Sequence, residues 1–214
     1  MVPATATTGT MRSDARRNRE RLVASARELL ASEGVDVSVE EITRRAGLGM
    51  GTLYRHFPTK EELVDAVLED AFAELVRIAE ESAADEDGWA GFTGFLEQAL
   101  AGHAANRGLK DVIAAGHGRE RAEAMRASLQ PLLAQMIERA QAQGTLRSDF
   151  TVEDVPLVFW AGGRVIERTA PVAPDHWRRV LGLLLDGLRA AAATPLPVPP
   201  LSNAQLSRIT KETA

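Results

Sequence analysis

The stretch from Gly47 to Pro58 constrains the fold of this chain more than any other, because its glycines and proline leave little room for a helix. A helix that follows the Gly47-Leu48-Gly49 turn starts near Met50. It ends before Pro58, since proline disfavours helical geometry in the preceding residue and cannot continue a helix itself. The sequence therefore predicts a helix of about two turns from Met50 to Phe57.

Helical patterns lie on both sides of this short helix. Apolar residues recur at helical spacing from Arg16 to Glu33, which predicts a longer first helix. Ser38 and Glu41 have the spacing of a capping box and open a short second helix, which Gly47 ends. Thr59 and Glu62 form a similar box at the start of a long amphipathic helix that fades near Ala84.

The second and third predicted helices have the arrangement of a helix-turn-helix unit, in which two short helices joined by a tight turn are braced by a longer one. The second helix of such a unit enters the major groove of DNA. Gly51 lacks a side chain and therefore lets the backbone approach a phosphate. Hydroxyl, aromatic and cationic groups that can bond phosphates and base edges surround it: Thr52, Tyr54, Arg55, His56 and Lys60. Phe57 follows Leu53 by four residues and is predicted to belong to the core.

Charge is distributed unevenly along the chain. The formal net charge of −5 argues on its own against a nucleic-acid binder. Residues 1–60, however, carry ten Lys and Arg against seven Asp and Glu, or +3, and the remainder carries fifteen against twenty-three, or −8. This asymmetry predicts an anion-binding head on an acidic body. The arginine run from Arg12 to Arg21 fits either a solvated helix face with a frayed arm or an arm that enters the minor groove.

The segment from Ser38 to Leu63, and above all GTLYRHFPTKEEL, resembles the DNA-binding domain of the TetR family of bacterial transcriptional regulators. The resemblance covers roughly residues 16–70. It implies that Ser38, Tyr54, His56 and Lys60 hold phosphates, while Met50, Thr52 and Arg55 lie nearest the base edges. The complete predicted DNA-binding set is Ser38, Arg44, Met50, Gly51, Thr52, Tyr54, Arg55, His56 and Lys60.

One departure from the family pattern lies in the turn. Gly49 and Met50 stand where family members often have Ser and Lys. This removes a hydroxyl cap and an amine that reaches phosphate. The affinity and sequence preference of other members therefore do not transfer to this chain.

The remainder of the chain shows helical stripes and no strand pattern. Predicted helices cover Trp89–His103, Leu109–Ala115, Leu129–Ala140, about 152–169 and about 176–193. The proline-rich TPLPVPP then excludes further helix, so that 194–214 is predicted to be a mobile tail with at most a short helical piece. The predicted fold class is all-α, with a three-helix helix-turn-helix (homeodomain-like) domain followed by a helical-bundle ligand-binding and dimerisation domain. The predicted divisions are a flexible basic arm at 1–15, the DNA-binding domain at 16–60, the helical domain at 61–193, whose first helix is the connector, and the tail.

The last two long helices, about 152–169 and 176–193, are predicted to form a symmetric interface. The second of them is too apolar for a lone surface helix. Ala161, Gly162 and Gly163 remove bulk midway along the first, which would let another backbone approach, although a contact within the chain is the alternative. An operator read by short helices normally requires two copies set about 34–36 Å apart. A homodimer is therefore predicted.

The resemblance also implies a pocket for a small-molecule effector in the helical domain. Candidate wall residues are aromatic and polar groups among apolar helices: Trp89, Phe92, Phe95, His103, His117, Met125, Met136, Phe159, Trp160 and Arg164. Each of the aromatic residues can instead be ordinary core. Arg164 needs an anionic partner, which is either a ligand carboxylate or Glu167 three residues on.

Other classes of protein fit the sequence less well. The chain has no cysteine, which excludes thiolate zinc sites and a disulfide framework and favours a reducing compartment, the cytoplasm. No signal peptide or membrane span is visible. His117 and Glu120 are too few ligands for a metal site, and no catalytic motif or cofactor is predicted. The predicted function is a dimeric repressor released from operator DNA by a lipophilic ligand; the alternatives are a DNA-binding regulator that senses a protein partner and a helical-bundle enzyme.

Overall fold

The computed structural model describes residues 7–106 and 118–212, and apart from one isolated bridge these residues form helices and turns. The predicted all-α fold class is confirmed. The helices are α1 (Thr7–Glu33), α2 (Val39–Ala46), α3 (Met50–His56), α4 (Lys60–Ala83), α5 (Gly88–Ala105), α6 (Arg119–Ala142), α7 (Val155–Thr169), α8 (Trp177–Leu188) and α9 (Asn203–Glu212). The predicted helix Leu109–Ala115 lies outside the described residues. None of the described helices is both long enough and apolar enough to cross a membrane.

The chain divides into two compact units, and α4 begins in the first and ends in the second. The first unit extends to Asp70, beyond the predicted end of the DNA-binding domain at residue 60. The reason is that the opening turns of α4 carry Leu63, Val64 and Val67, all of which are buried.

In the first unit, α1 packs against α2 and α3. The fully buried side chains of Leu22, Leu30, Ile42 and Leu53 mark its core. The predicted start of α2 is confirmed, because the Ser38 hydroxyl accepts a hydrogen bond of 3.1 Å from the backbone N–H of Glu41. The predicted bounds of α3 are confirmed to within one residue.

Gly47 ends α2 in the left-handed conformation, with φ 62° and ψ 38°. Its N–H donates to the carbonyl of Arg44 at 3.1 Å, which closes the last turn. A Cβ at this position would lie 2.9 Å from Nη2 of Arg21, whose guanidinium donates to the Ala46 carbonyl. The conformation and the arginine together favour glycine here.

We expect Gly47→Ala to lower the free energy of unfolding by about 1–2 kcal/mol, because an L-residue is strained in the left-handed region and the added Cβ would also crowd Arg21. Chemical denaturation followed by circular dichroism would measure the loss. Gly34→Ala is the matched control, since Gly34 has φ 76° and nothing lies within 4 Å of its added Cβ. An equal loss in both variants would mean that the contact with Arg21 contributes nothing.

Helix α1 begins at Thr7, so that residues 7–15 of the predicted flexible arm are helical. Side-chain contacts near the end of this part support the helix there. Arg17 donates to the Ser13 hydroxyl at 3.1 Å and pairs with Asp14, while Arg16 lies 3.5 Å from Glu20. Pairs three and four residues apart stabilise a helix that the sparse apolar residues of this segment do not predict.

In the second unit, α5 packs against α6 and α7, and α7 packs against α8. Aromatic side chains fill much of its core. The rings of Phe92 and Phe150 meet edge to face with centroids 5.5 Å apart, and those of Phe95 and Phe159 do so at 6.1 Å. Trp177, at the start of α8, is also buried.

Gly162 and Gly163 are buried against α5, and the prediction that they open a symmetric interface is wrong. A Cβ on Gly162 would lie 2.7 Å from the Leu100 side chain, and one on Gly163 would lie 3.2 Å from Nε2 of His103. The missing side chains therefore let α5 approach α7 within one chain. Of the three small residues, only Ala161 is exposed.

Helix α8 ends at Leu188, although the predicted helix continued to residue 193. The backbone of Arg189 becomes extended, with ψ 137°, and forms an isolated bridge with Leu146 in the connector between α6 and α7. The N–H of Ala190 donates to the Thr145 carbonyl at 3.0 Å. These bonds to a distant segment replace the bonds that would have continued the helix.

The segment after Thr194 has no regular secondary structure and is exposed as far as Pro200. Leu196 is 54% exposed and Val198 is 70% exposed. Helix α9 then follows as the short helical piece predicted for the tail. The N–H of Gln205 donates to the Ser202 hydroxyl at 3.3 Å near its start.

Candidate nucleic-acid interface

Helix α3 presents two distinct faces. Leu53 and Phe57 point into the first unit and are 0% and 3% exposed, so that the core role predicted for Phe57 is confirmed. Tyr54 is 49% exposed, and Gly51 and Arg55 are exposed beside it. The outward face of α3 therefore carries the backbone, phenol and guanidinium groups that the sequence assigned to DNA.

The start of α3 is open. Gly49 is the N-cap residue, and its carbonyl accepts from the N–H groups of Thr52 and Leu53 at 2.9 and 3.2 Å. A Cβ added to Gly49 or to Gly51 would meet nothing within 4 Å. The packing of the chain therefore does not require glycine at position 51. The open space is what an approaching phosphate would need.

Met50 is turned partly towards α2. Its sulfur accepts from the hydroxyl of Thr43 at 3.5 Å, and Thr43 is buried. Met50 is half-buried, so that part of its side chain helps to join the two short helices while the rest stays accessible.

Ser38 and Arg44, both on the α2 side of the unit, already have partners. Ser38 is exposed, and its hydroxyl caps α2 as described above. Arg44 pairs with Glu41, and this hydrogen bond lowers the pKa of the Glu41 carboxyl below its ordinary value. Ion pairs between such exposed groups contribute little to stability in water.

Four more of the predicted DNA-binding residues lie at or near the C-terminal end of α3. The side chains of Tyr54 and Arg55 make no hydrogen bond and no ion pair with the described part of the chain. His56 is half-buried with its ring centroid 6.4 Å from that of Phe57, and Lys60 opens α4. All nine predicted DNA-binding residues lie in the first unit, and none of them is buried.

Two arginines of α1 reach the short helices, although the sequence predicted for their run either a solvated helix face with a frayed arm or an arm in the minor groove. The guanidinium carbon of Arg19 lies 5.3 Å from the centroid of the Phe57 ring, and Arg21 binds the end of α2. Their spacing carries a signal. Arg19 precedes the buried Leu22 and Ala26 by three and seven residues, so that its backbone lies on the side of α1 that faces the core while its side chain stays exposed.

The predicted effector-binding residues have several environments in the second unit. Phe92, Phe95 and Met136 are buried in the core, and Trp89, Met125 and Phe159 pack against it while half-buried. His103 is half-buried beside Gly163. Trp160 and Arg164 are exposed, and Arg164 pairs with Glu167 at 2.9 Å. His117 lies outside the described residues.

The second unit has an open cavity of about 240 Å³, formed by α5, α7 and the start of α8. Ala101, Ala104, Ile166, Ala170, Trp177 and Arg178 are among its lining residues, and none of the predicted effector-binding residues is. Its volume is below the roughly 300–1,000 Å³ of typical sites for small molecules. Within residues 7–106 and 118–212, no three His, Asp or Glu side chains are grouped as a metal site would require.

Comparisons with protein families give two matches that together span most of the chain. Residues 22–67 match the family of bacterial regulatory proteins of the tetR type. Residues 88–190 match the C-terminal domain of SbtR-like transcriptional regulators. An HTH-type transcriptional regulator of Staphylococcus aureus is 45% identical over 60 residues. That match covers 28% of this chain and only 32% of the relative, so that the likeness is confined to about a third of that protein.

Two solved structures resemble the chain over most of its length. A TetR transcription regulatory protein from Mycobacterium vanbaalenii is 34% identical, with a TM-score of 0.65 over 84% of this chain and 99% of its own. A TetR transcriptional regulator from Streptomyces coelicolor is 29% identical, with a TM-score of 0.59 over 80% of this chain and 98% of its own. The likeness therefore extends through both units.

Proposed function

This chain belongs to the TetR family of bacterial regulatory proteins and is a transcriptional regulator with a TetR DNA-binding domain. On that premise, we propose that it is a dimeric repressor in the cytoplasm that a small lipophilic ligand releases from its operator. The nine predicted DNA-binding residues are part of this proposal.

The observation that carries DNA recognition is the open face of α3. Gly51 has no side chain, and nothing in the chain lies within 4 Å of a Cβ added there, so that its backbone is accessible. Tyr54 and Arg55 are exposed beside it. Backbone N–H groups and phenols suit phosphate oxygens, and a guanidinium can donate two hydrogen bonds to guanine. The net charge of +3 in residues 1–60 favours the approach of an anion.

Exposed apolar side chains on α7 and α8 support dimerisation. Leu157 and Trp160 of α7 are 36% and 42% exposed, and Leu183 of α8 is 62% exposed. Leu157, Trp160 and Ala161 are spaced to form one stripe on α7. In a symmetric dimer the same stripes from two copies would cover one another, which removes this surface from water.

Release by a ligand requires that the ligand bind the form that does not fit the operator more tightly than the form that does. A tenfold preference corresponds to about 1.4 kcal/mol of coupling. The half-buried His103 on α5 is the polar group that we place in the effector site. His103 does not line the cavity of about 240 Å³ and lies against Gly163 of α7, so that α5 and α7 would have to move apart to admit a lipophilic ligand there.

Selection of bound fragments from random double-stranded DNA tests the proposal. We expect a recovered site with two half-sites, and we expect lipophilic compounds to displace the protein from it. Arg55→Ala should alter the base preference at one position of each half-site, whereas Tyr54→Phe should lower the affinity for all DNA sequences to the same extent. Failure of the protein to bind any duplex at low salt would contradict the proposal, and unchanged preference in Arg55→Ala would remove Arg55 from the reading set.

We expect Gly51→Ala to separate stability from DNA binding. The added methyl meets nothing in the chain, so that the helix should gain about 0.5–1 kcal/mol from the lower entropy of the unfolded state. Operator binding should weaken by at least about tenfold, because the methyl occupies the path of a phosphate to the backbone. Thermal unfolding and titration of labelled operator would measure the two effects.

Gly94→Ala on α5 is the control for the expected gain in stability and loss of operator binding. Gly94 is also a helix residue with nothing within 4 Å of an added Cβ, but it lies in the second unit. It should be stabilised in the same way and bind operator normally. Normal operator binding by Gly51→Ala would show that no phosphate comes close to this position.

A further inference from the structure

Arg19 has no carboxylate partner among the described residues, in contrast to several other arginines of the first unit. Four others pair with acidic side chains: Arg16 with Glu20, Arg17 with Asp14, Arg44 with Glu41 and Arg45 with Glu28. Within the described part of the chain, Arg19 and Arg55 have exposed guanidinium groups that contact no carboxylate. Both of them lie at α3.

The position of Arg19 is fixed by the ring of Phe57. Its guanidinium carbon lies 5.3 Å from the ring centroid, and Phe57 itself is anchored in the core at 3% exposure. Such a contact at an exposed site contributes modestly to stability, yet it restricts a long side chain that would otherwise sample many rotamers. Because Phe57 directly follows His56, Arg19 lies at the end of α3 where His56 and Lys60 are also found.

We propose that Arg19 binds a phosphate of the operator, so that the DNA-binding surface includes α1 as well as the helix-turn-helix. A guanidinium that is exposed, held against a ring and not paired with a carboxylate can bind phosphate with little loss of entropy. This inference rests on the proposed function. It adds a residue that the predicted set of nine does not contain.

The competing explanation is that Arg19 only covers the Phe57 ring. Arg19→Met distinguishes the two, because methionine keeps an unbranched apolar stem over the ring and removes the charge. If Arg19 binds phosphate, the slope of log K against log salt for operator binding should become shallower by about 0.9 for each bound copy, with the melting temperature unchanged. Ethylation interference should lose its signal at one phosphate of each half-site.

Two further variants make this result specific. Arg16→Met removes the same charge from the same helix, but Arg16 is paired with Glu20, and its side chain is 77% exposed. We expect Arg16→Met to leave the slope and the interference pattern unchanged. Arg19→Lys keeps the charge and should restore most of the slope while binding less tightly than the wild type, because lysine has no planar fork.

The outcomes separate this inference from the proposed function. If the wild type selects an operator and Arg55→Ala alters its base preference, but Arg19→Met retains the wild-type slope and interference pattern, the inference about Arg19 is overturned and the regulator remains. An equal loss of slope in Arg16→Met would also overturn it, because the effect would then be one of overall charge. If the wild type binds no duplex, the proposed function itself fails.

Discussion

Replacing Arg147 with methionine should lower the free energy of unfolding of the second unit by about 3 kcal/mol. Arg147 is only 7% exposed, and its guanidinium binds four acceptor atoms. It donates to both carboxylate oxygens of Asp149 at 2.5 and 3.0 Å, to the Gly187 carbonyl at 3.2 Å and to the Thr194 carbonyl at 2.7 Å. Methionine removes all four of these bonds at once, and hydrogen bonds that involve a charged group contribute more than neutral ones.

The loss should also depend on pH. The hydrogen bond from Arg147 lowers the pKa of the Asp149 carboxyl below its ordinary value. A carboxyl whose pKa is lower in the folded state contributes stability above its unfolded pKa of about 4, and that stability is lost as pH falls through the folded value. The difference between wild type and Arg147→Met should therefore shrink in acid.

Tryptophan fluorescence during urea denaturation would measure this effect, because Trp89, Trp160 and Trp177 are the three tryptophans of the chain and all lie in the second unit. Arg178→Met is the control. Arg178 also pairs with a carboxylate, that of Glu97, but its side chain is 48% exposed, and we expect a loss below about 1 kcal/mol. Equal losses in the two variants would contradict a special role for the buried guanidinium.

The first unit could be predicted closely because its signals are local. Ser38 caps α2 through the residue three positions on, and Gly47 ends it by its own backbone conformation. Pro58 similarly limits α3 through sterics with its neighbour. None of these effects depends on a distant part of the chain, so that the order and length of the short helices follow from spacing alone.

The second unit differs from its prediction where distant segments decide the structure. Gly162 and Gly163 have the composition of an interface between two copies, yet the side chains that fill the space belong to α5 of the same chain. Helix α8 stops at Leu188 because Leu146 pairs with Arg189. Periodicity along one helix does not encode its partner, and therefore neither result could be obtained from the pattern.

The candidate sites show the same division. Residues three or four apart share a face of a helix. Because Leu53 and Phe57 point into the core, Tyr54 and Arg55 are expected to be exposed. For the effector site no such rule applies. An aromatic residue on an inward stripe has the same spacing whether it meets another ring, as Phe95 does, or a ligand. A polar connector such as GTLRSDF likewise gave no sign that Arg147 is buried.

Replacing Leu183 with glutamate should convert the protein into a monomer and weaken operator binding by about a hundredfold or more, since two joined modules gain that much from their effective concentration. Leu183 is 62% exposed in the single chain, so that glutamate fits there without disturbing the fold. In a symmetric dimer each substitution appears twice, and two like charges would be brought out of water together. Sedimentation and titration of the full operator would measure the two losses.

Val172→Glu tests whether the loss belongs to the interface. Val172 is 91% exposed in the turn between α7 and α8, outside the apolar stripes, and its replacement makes the same change of charge and polarity. It should remain dimeric and bind operator as the wild type does. If each α3 contacts one half-site, as proposed, Leu183→Glu should still bind a single half-site with the affinity of one wild-type module. A Leu183→Glu variant that stays dimeric would place the interface elsewhere, whereas a monomer that binds the full operator normally would show that one copy suffices for recognition.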